Sequence, residues 1–323
     1  MYSIISAIGS YLPSKILSNT DLEKLVNTSD DWIVERTGIK TRHIANDGEF
    51  ASDLAIQAIN NLVERYSKIL DDVDFIFVAT STMDTFYPSV AAIIQNHFKI
   101  KKAGALDIGA ACAGFAYGLI LADSLIKTGA YKKILLIGTE VLSKTVDYTD
   151  RNSCIIFGDG AAAVLIEPSL EPGIIANFCS TEGQYGQDLY RSAVANKINN
   201  TKIINDGLIH QNGKVVFKWA ITNVPLGIKD LLKIAERTLD DIDWIVTHSA
   251  NLRIIEAVCN ELEFPIDKTL KSIREYGNTS SASIPLSVDK GVREGKLKKG
   301  DTIILYGFGG GLTQAGLLLK WNI

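Results

Sequence analysis

The sequence lacks the paired-ligand patterns that organise a metal or a disulfide framework. Its four cysteines, Cys112, Cys154, Cys179 and Cys259, lie far apart with no CxxC pair. The four histidines, His43, His97, His210 and His248, show no HxxxH spacing. Neither a zinc site nor a disulfide scaffold is expected, and scattered cysteines suit a reducing cytoplasm. A basic excess is also missing, since 33 Lys and Arg against 37 Asp and Glu leave a net charge of −4. A protein that tracks phosphates along a nucleic acid needs the opposite balance, so that class is excluded. No positive charge precedes Lys15, so the first residues are not expected to act as a secretory leader. The uncharged run Ile303–Leu319 holds five glycines and reads as strand-turn-strand, not as a membrane span. No GxGxxG dinucleotide fingerprint is present, and no Pro- or Ser-rich linker divides the chain.

What is present is globular: 323 residues, 46% hydrophobic and 22% charged, enough chain to bury a large core without cross-links. Phe75–Thr80 and Lys132–Gly138 are apolar runs of buried-strand type, with a helix over Ala113–Thr128 between them, closed by Gly129. Strands alternating with helices predict an α/β fold with mostly parallel sheets. Two prolines in Glu167–Gly173 mark a soft boundary, giving halves of 1–170 and 171–323.

Those halves repeat. Asp71–Thr80 (DDVDFIFVAT) resembles Asp240–Ser249 (DDIDWIVTHS) at an offset of 169 residues, and the same offset aligns Lys133–Gly138 with Thr302–Gly307. It also carries Cys112 onto Ser281. Two duplicated α/β halves about a pseudo-dyad are implied. Equivalent loops then converge on one centre: Ala110–Gly114, His248–Asn251, Asn278–Ser281 and Phe308–Gly311.

Three of the residues so gathered can carry chemistry. Cys112 falls between a short strand (Ala105–Ile108) and an almost wholly apolar helix. A thiol at a helix N-terminus is expected to favour its thiolate. His248 follows the strand Trp244–Thr247, at the carboxyl end where α/β folds place ligands. Asn278 sits in the turn Tyr276–Ser280, and Gly309-Gly310-Gly311 offers backbone N–H groups to an oxyanion. Each residue taken alone also fits a structural role: a buried small thiol, a hydrogen-bonded histidine, an ordinary turn.

Longer stretches identify a family. TSDDWIVERTGIKTRHIA (Thr28–Ala45), AACAGFAYGL (Ala110–Leu119), DYTDRNSCIIFGDGAAAVLI (Asp147–Ile166), THSANLRIIEA (Thr247–Ala257), EYGNTSSASIPLS (Glu275–Ser287) and FGGGLT (Phe308–Thr313) resemble β-ketoacyl-acyl-carrier-protein synthase III, the initiating condensing enzyme of type II fatty acid synthesis. The resemblance implies a thiolase-like fold, layered α-β-α-β-α, and decarboxylative condensation of a short-chain acyl-CoA with malonyl-ACP. It implies Cys112 as the acylated nucleophile, completed by His248 and Asn278, with the Cys112 and Gly310 backbone N–H groups as the oxyanion hole. Trp32, Arg36, Arg151, Gly213, Phe217 and Asn251 fall where the family contacts coenzyme A. Tyr87, reaching from a partner subunit, and Phe308 fall at the acyl pocket, so a homodimer is implied. Lys214, Lys218 and Arg253 are available to an acidic carrier protein, whereas Asn260 and Glu261 occupy positions that are often basic.

Decarboxylation generates the carbon nucleophile, so neither a metal nor a bound cofactor is expected. Phe308–Ile323 contains no second cysteine of thiolase type, and asparagine at 278 departs from the two histidines of elongating enzymes. Glu140 is the nearest counterpart of the glutamate base of hydroxymethylglutaryl-CoA synthase. Ser249 stands where many members carry glutamine. A condensing enzyme of specialised metabolism, or a non-catalytic acyl-CoA-binding protein on the same fold, are the alternatives. The primer stays open between acetyl, propionyl and branched short chains, with branched ones favoured by resemblance to the form found in Gram-positive bacteria, because pocket volume depends on how Phe86, Tyr87, Leu142, Phe157 and Ile198 pack.

Overall fold

A computed structural model describes residues 2–323. The chain order of its principal elements is β1 (Tyr2–Tyr11), α1 (Ala51–Tyr66), β2 (Phe75–Ala79), α2 (Val90–His97), β3 (Gly104–Ile108), α3 (Gly114–Lys127), β4 (Ile134–Glu140), β5 (Gly160–Ser169) and β6 (Ile174–Thr181), then β7 (Leu189–Arg191), β8 (Ile209–Gln211), α4 (Gly213–Ile234), β9 (Trp244–Thr247), α5 (Leu252–Leu262), α6 (Ser283–Arg293), β10 (Thr302–Gly309) and β11 (Thr313–Lys320).

Five strands form one sheet in the order β1-β5-β4-β2-β3, and four form a second in the order β9-β10-β11-β6. The inner order of one repeats the other: β1, β5, β4 and β2 correspond to β6, β11, β10 and β9, with the same strand directions. The expectation of mostly parallel sheets is corrected, because only three of the seven pairings are parallel. The cause lies in the connections. β10 returns as β11 after only Gly310, Gly311 and Leu312, too short for a parallel crossover. The second strand of the expected strand-turn-strand runs from Thr313 to Lys320.

The apolar runs become strands buried on both faces, as in β4, where every residue is buried. Helices α3 and α6 lie between the two sheets, α1 and α2 cover the outer face of the first, and α4 and α5 cover the second. The result is five layers, α-β-α-β-α. The near absence of charge on α3 follows from this central position. Its buried Asp123 is satisfied by the Ser3 hydroxyl at 2.6 Å and the Lys127 ammonium at 2.9 Å.

The duplication reaches into backbone detail. A single 3₁₀ turn precedes each central helix, Ala111–Ala113 before α3 and Ser280–Ala282 before α6. The first residue of each turn is left-handed, Ala111 at φ 44° and Ser280 at φ 47°. Left-handed alanine and serine are uncommon enough that this coincidence, again at 169 residues, marks a shared ancestral turn. No helix among the described residues is long and apolar enough to cross a membrane.

Candidate active site

All four converging loops contribute to one cavity of about 200 Å³. Its wall includes Cys112, His248, Asn251, Asn278, Ser280, Phe308, Gly309 and Gly310.

Cys112 enters on the 3₁₀ turn ahead of α3 and keeps 8% of its surface exposed. The end of β10 presses against it. A Cβ placed on Gly309 meets the Cys112 Cβ at 2.8 Å and its N and Sγ at 3.1 Å, so only glycine fits there. Gly307 is similarly confined, since a Cβ there would stand 2.8 Å from Ala113 Cα. The expected thiolate preference is corrected here: burial pushes the Cys112 thiol up to about 12, against a smaller opposing effect of Ser280. Desolvation of the anion outweighs the helix terminus.

His248 is 2% exposed and carries its ring with the Phe308 ring edge-on, centroids 5.3 Å apart. Burial pushes it down to about 3, so the imidazole is neutral across the physiological range. Its Nδ1 meets the Ser283 hydroxyl at 2.6 Å. The other ring nitrogen, Nε2, has no protein partner among the described residues.

Asn278 is held by its backbone to the segment after the short helix Arg151–Cys154. Its N–H donates to the Ile156 carbonyl at 2.9 Å, and Gly158 N–H donates to the Asn278 carbonyl at 3.0 Å. Beneath that crossing the buried Arg42 guanidinium donates to Asn19 Oδ1 at 2.7 Å and to the Ile155 carbonyl. Asn278 Oδ1 accepts from Ser280 N–H at 2.9 Å, which fixes the amide orientation. The amide NH₂ is what remains for the cavity. Two neutral donors, one imidazole and one carboxamide, therefore belong to the wall that carries a thiol.

Glu140 does not line the cavity. Its fully buried carboxylate accepts from Thr82 Oγ1 at 2.7 Å and from Ser81 N–H and Ser281 Oγ at 3.1 Å. Those donors make it a brace between β4 and the neighbouring loops and leave no face for substrate.

Of the residues expected at coenzyme A, Gly213, Phe217 and Asn251 line the cavity. Trp32, Arg36 and Arg151 form a contiguous group outside it. The Arg151 guanidinium stands 4.6 Å from the Trp32 ring centroid and that of Arg36 5.9 Å. Asn251 ties the two groups together, its amide donating to the Arg36 carbonyl at 3.0 Å. Lys214, Lys218 and Arg253 are exposed beside the same opening, with Arg253 6.0 Å over Phe217. Leu142 and Phe157 line the cavity, whereas Ile198 does not. Phe86 and Tyr87 are 72% and 88% exposed and do not line their own chain's cavity. Cys154, Cys179 and Cys259 are absent from it.

Sequence reasoning placed Ser280 only within a converging loop and missed Ser283 and Arg191. Arg191 lines the cavity and donates to the Ser81 and Gly207 carbonyls at 2.7 and 2.9 Å. No motif flags a lone arginine in a short strand. Ser283 was within reach through the repeat, since it stands 169 residues after Gly114, the first residue of α3.

Comparison with known proteins agrees with this architecture. Residues 106–183 match the model of 3-oxoacyl-[acyl-carrier-protein] synthase III, and residues 232–321 match that of its C-terminal part. The chain is 52% identical over 322 residues to beta-ketoacyl-[acyl-carrier-protein] synthase III 2 of Bacillus anthracis, covering 99% of this chain and 98% of the relative. Crystal structures of the synthase III from Thermus thermophilus and Aquifex aeolicus superpose with TM-scores of 0.96 and 0.92 at 37% and 39% identity, each over at least 99% of both chains. A thiol, a neutral imidazole and a carboxamide on one cavity between duplicated halves are thus set in a chain that belongs to the β-ketoacyl-[acyl-carrier-protein] synthase III family.

Proposed function

We propose that this chain initiates fatty acid synthesis by joining a short-chain acyl-CoA to malonyl-ACP, with Cys112, His248 and Asn278 in separate roles. The observation that carries this reading is the pair of neutral donors on the Cys112 cavity, in a site with no carboxylate base.

In the first half-reaction Cys112 sulfur attacks the acyl-CoA thioester. The carbon–sulfur bond to coenzyme A breaks and the thiol proton leaves with coenzyme A as its thiol. Backbone N–H groups of Cys112 and Gly310 receive the transient oxyanion. In the second half-reaction malonyl-ACP loses CO₂, and the electron pair of the broken bond moves onto the thioester oxygen. His248 Nε2–H and the Asn278 amide donate to that oxygen. The carbanion then attacks the acyl-cysteine and expels the thiolate, which takes a proton from water. Decarboxylation supplies the nucleophile, so the chemistry calls for neither a metal nor a bound cofactor.

Trp32, Arg36, Arg151, Gly213, Phe217 and Asn251 hold coenzyme A in this reading, its nucleotide stacking on the arginine–tryptophan group. Lys214, Lys218 and Arg253 receive the acidic carrier protein at the same opening. The chain works as a homodimer. Support comes from β3, which ends its sheet with one edge unpaired, and from exposed Leu106, Leu121, Phe86 and Tyr87. Tyr87 of each subunit then closes the other's acyl pocket. Four free cysteines suit a cytoplasmic location.

The test separates the half-reactions. His248→Ala and Asn278→Ala should each still acylate Cys112, seen by intact mass, yet lose ¹⁴CO₂ release from labelled malonyl-ACP by about 10²-fold or more. The double variant should lose less than the product of the single losses. Loss of acylation in His248→Ala with decarboxylation intact would make His248 the base of Cys112 and overturn the assignment.

A further inference from the structure

We propose that Ser283 is a positioning residue that sets the tautomer of His248, keeping the ring proton on Nε2. The inference rests on the role given to His248 above.

Ser283 is the first residue of α6 and has no exposed surface. Its Oγ lies 2.6 Å from His248 Nδ1 and makes no other hydrogen bond among the described residues. A buried hydroxyl left without an acceptor loses its hydration with nothing in return. Among the described residues Nδ1 is its only hydrogen-bond partner, so the hydroxyl donates and Nδ1 contributes its lone pair. The ring proton of a neutral imidazole must then sit on Nε2. In the other tautomer Nδ1–H donates to Oγ, the hydroxyl proton is stranded, and Nε2 presents a lone pair where a donor is needed.

The surroundings hold this arrangement. Ser287 Oγ donates to the Ser283 carbonyl at 2.7 Å, and the Ser272 and Ser249 hydroxyls lie 3.0 and 3.3 Å from it. His248 N–H donates to the Tyr306 carbonyl at 2.8 Å, while Phe308 packs edge-on against the ring. Among the described residues no carboxylate hydrogen-bonds the imidazole. In a Ser-His-Asp triad a carboxylate accepts from Nδ1–H and leaves Nε2 as a base. A serine hydroxyl at this place reverses the polarity and leaves Nε2 as a donor. The short Ser249 side chain belongs to the same hydroxyl cluster, which gives the departure at that position a structural meaning.

The experiment labels the four histidines with ¹⁵N in the full-length enzyme and reads the ring nitrogens by two-bond ¹⁵N–¹H correlation, with His248→Ala assigning the signal. The wild-type ring should carry its proton on Nε2. In Ser283→Ala a measurable share should move to Nδ1, and ¹⁴CO₂ release should fall about fivefold or more, the scale of one buried hydrogen bond. Acylation of Cys112 should stay within about twofold of wild type, because Ser283 acts only through the second half-reaction. A wild-type ring protonated on Nδ1 overturns the proposal, as does Ser283→Ala with tautomer and condensation unchanged. The wild-type spectrum decides alone if Ser283→Ala does not fold. Normal condensation by His248→Ala is a separate outcome: it removes the role of His248 and with it any function of the tautomer.

Discussion

Gly309→Ala should damage acylation through a single methyl group. The new Cβ would sit 2.8 Å from Cys112 Cβ and 3.1 Å from both its N and Sγ. Relaxed carbon contacts lie at about 3.5–4.0 Å, so the cysteine must retreat by roughly an ångström. Turning the side chain does not relieve the overlap, because the backbone nitrogen is struck too. The whole turn Ala111–Ala113 has to move, and it already holds a left-handed alanine. A misplacement near 1 Å of a reacting atom costs about 10²-fold in rate, or about 2.7 kcal/mol of barrier. Overpacking adds about 1–3 kcal/mol of lost stability, visible as a lower melting temperature. The assay is the rate of acyl transfer to Cys112 from an acyl-CoA, followed by intact mass. Gly109→Ala is the control, since a Cβ there meets nothing within 4 Å. Wild-type acylation by Gly309→Ala would refute the argument that β10 positions the nucleophile.

Other expectations follow from the same geometry. With the Cys112 thiol pushed up to about 12, its alkylation by iodoacetamide in the free enzyme should rise about tenfold per pH unit from pH 7 to 10. A plateau near neutrality, read on the Cys112 peptide, contradicts the buried-thiol reading. His248, pushed down to about 3, stays neutral as pH falls, so ¹⁴CO₂ release by pre-acylated enzyme should be flat from pH 8 to 5. A titrating step near pH 6.5 would show an ordinary, solvated histidine. Arg36→Ala and Arg151→Ala should raise KM for acyl-CoA by about three- to tenfold and leave that for malonyl-ACP within about twofold, because the carrier's pantetheine has no nucleotide to stack. Equal changes for both substrates would make the arginines structural props of Trp32.

The repeat in the sequence brings the four converging loops together, because the segments DDVDFI and DDIDWI that lead into β2 and β9 are alike and the offset between them is ungapped. The central burial of α3 was legible too, because that helix has almost no polar face, whereas the layering came with the family resemblance. Strand direction was not, since an apolar run looks the same whichever way its neighbour points. The ionisation of Cys112 was misjudged because helix position is written in the sequence while burial depends on Gly307, Gly309 and the whole of β10. Asn278 and Ser283 show the same limit. The backbone of Asn278 is held by Ile156 and the hydroxyl of Ser283 meets His248, partners far away in the chain.

The twin turns at Ala111 and Ser280 have diverged in what they offer. At the position matching Cys112 the second half carries Ser281, fully buried, whose hydroxyl donates to the Ala79 carbonyl at 2.7 Å and to Glu140 at 3.1 Å. Gly138 permits that fit, its backbone lying so close that a Cβ would stand 2.6 Å from the Ser281 carbonyl oxygen. At this position one copy of an ancestral bend thus stayed open to substrate, and the other was turned inward as a rivet through the first half's sheet. A thiol placed at 281 would meet a carbonyl and a carboxylate rather than a thioester, so a duplicated molecule with two equivalent bends retains a single place where an acyl group can be loaded.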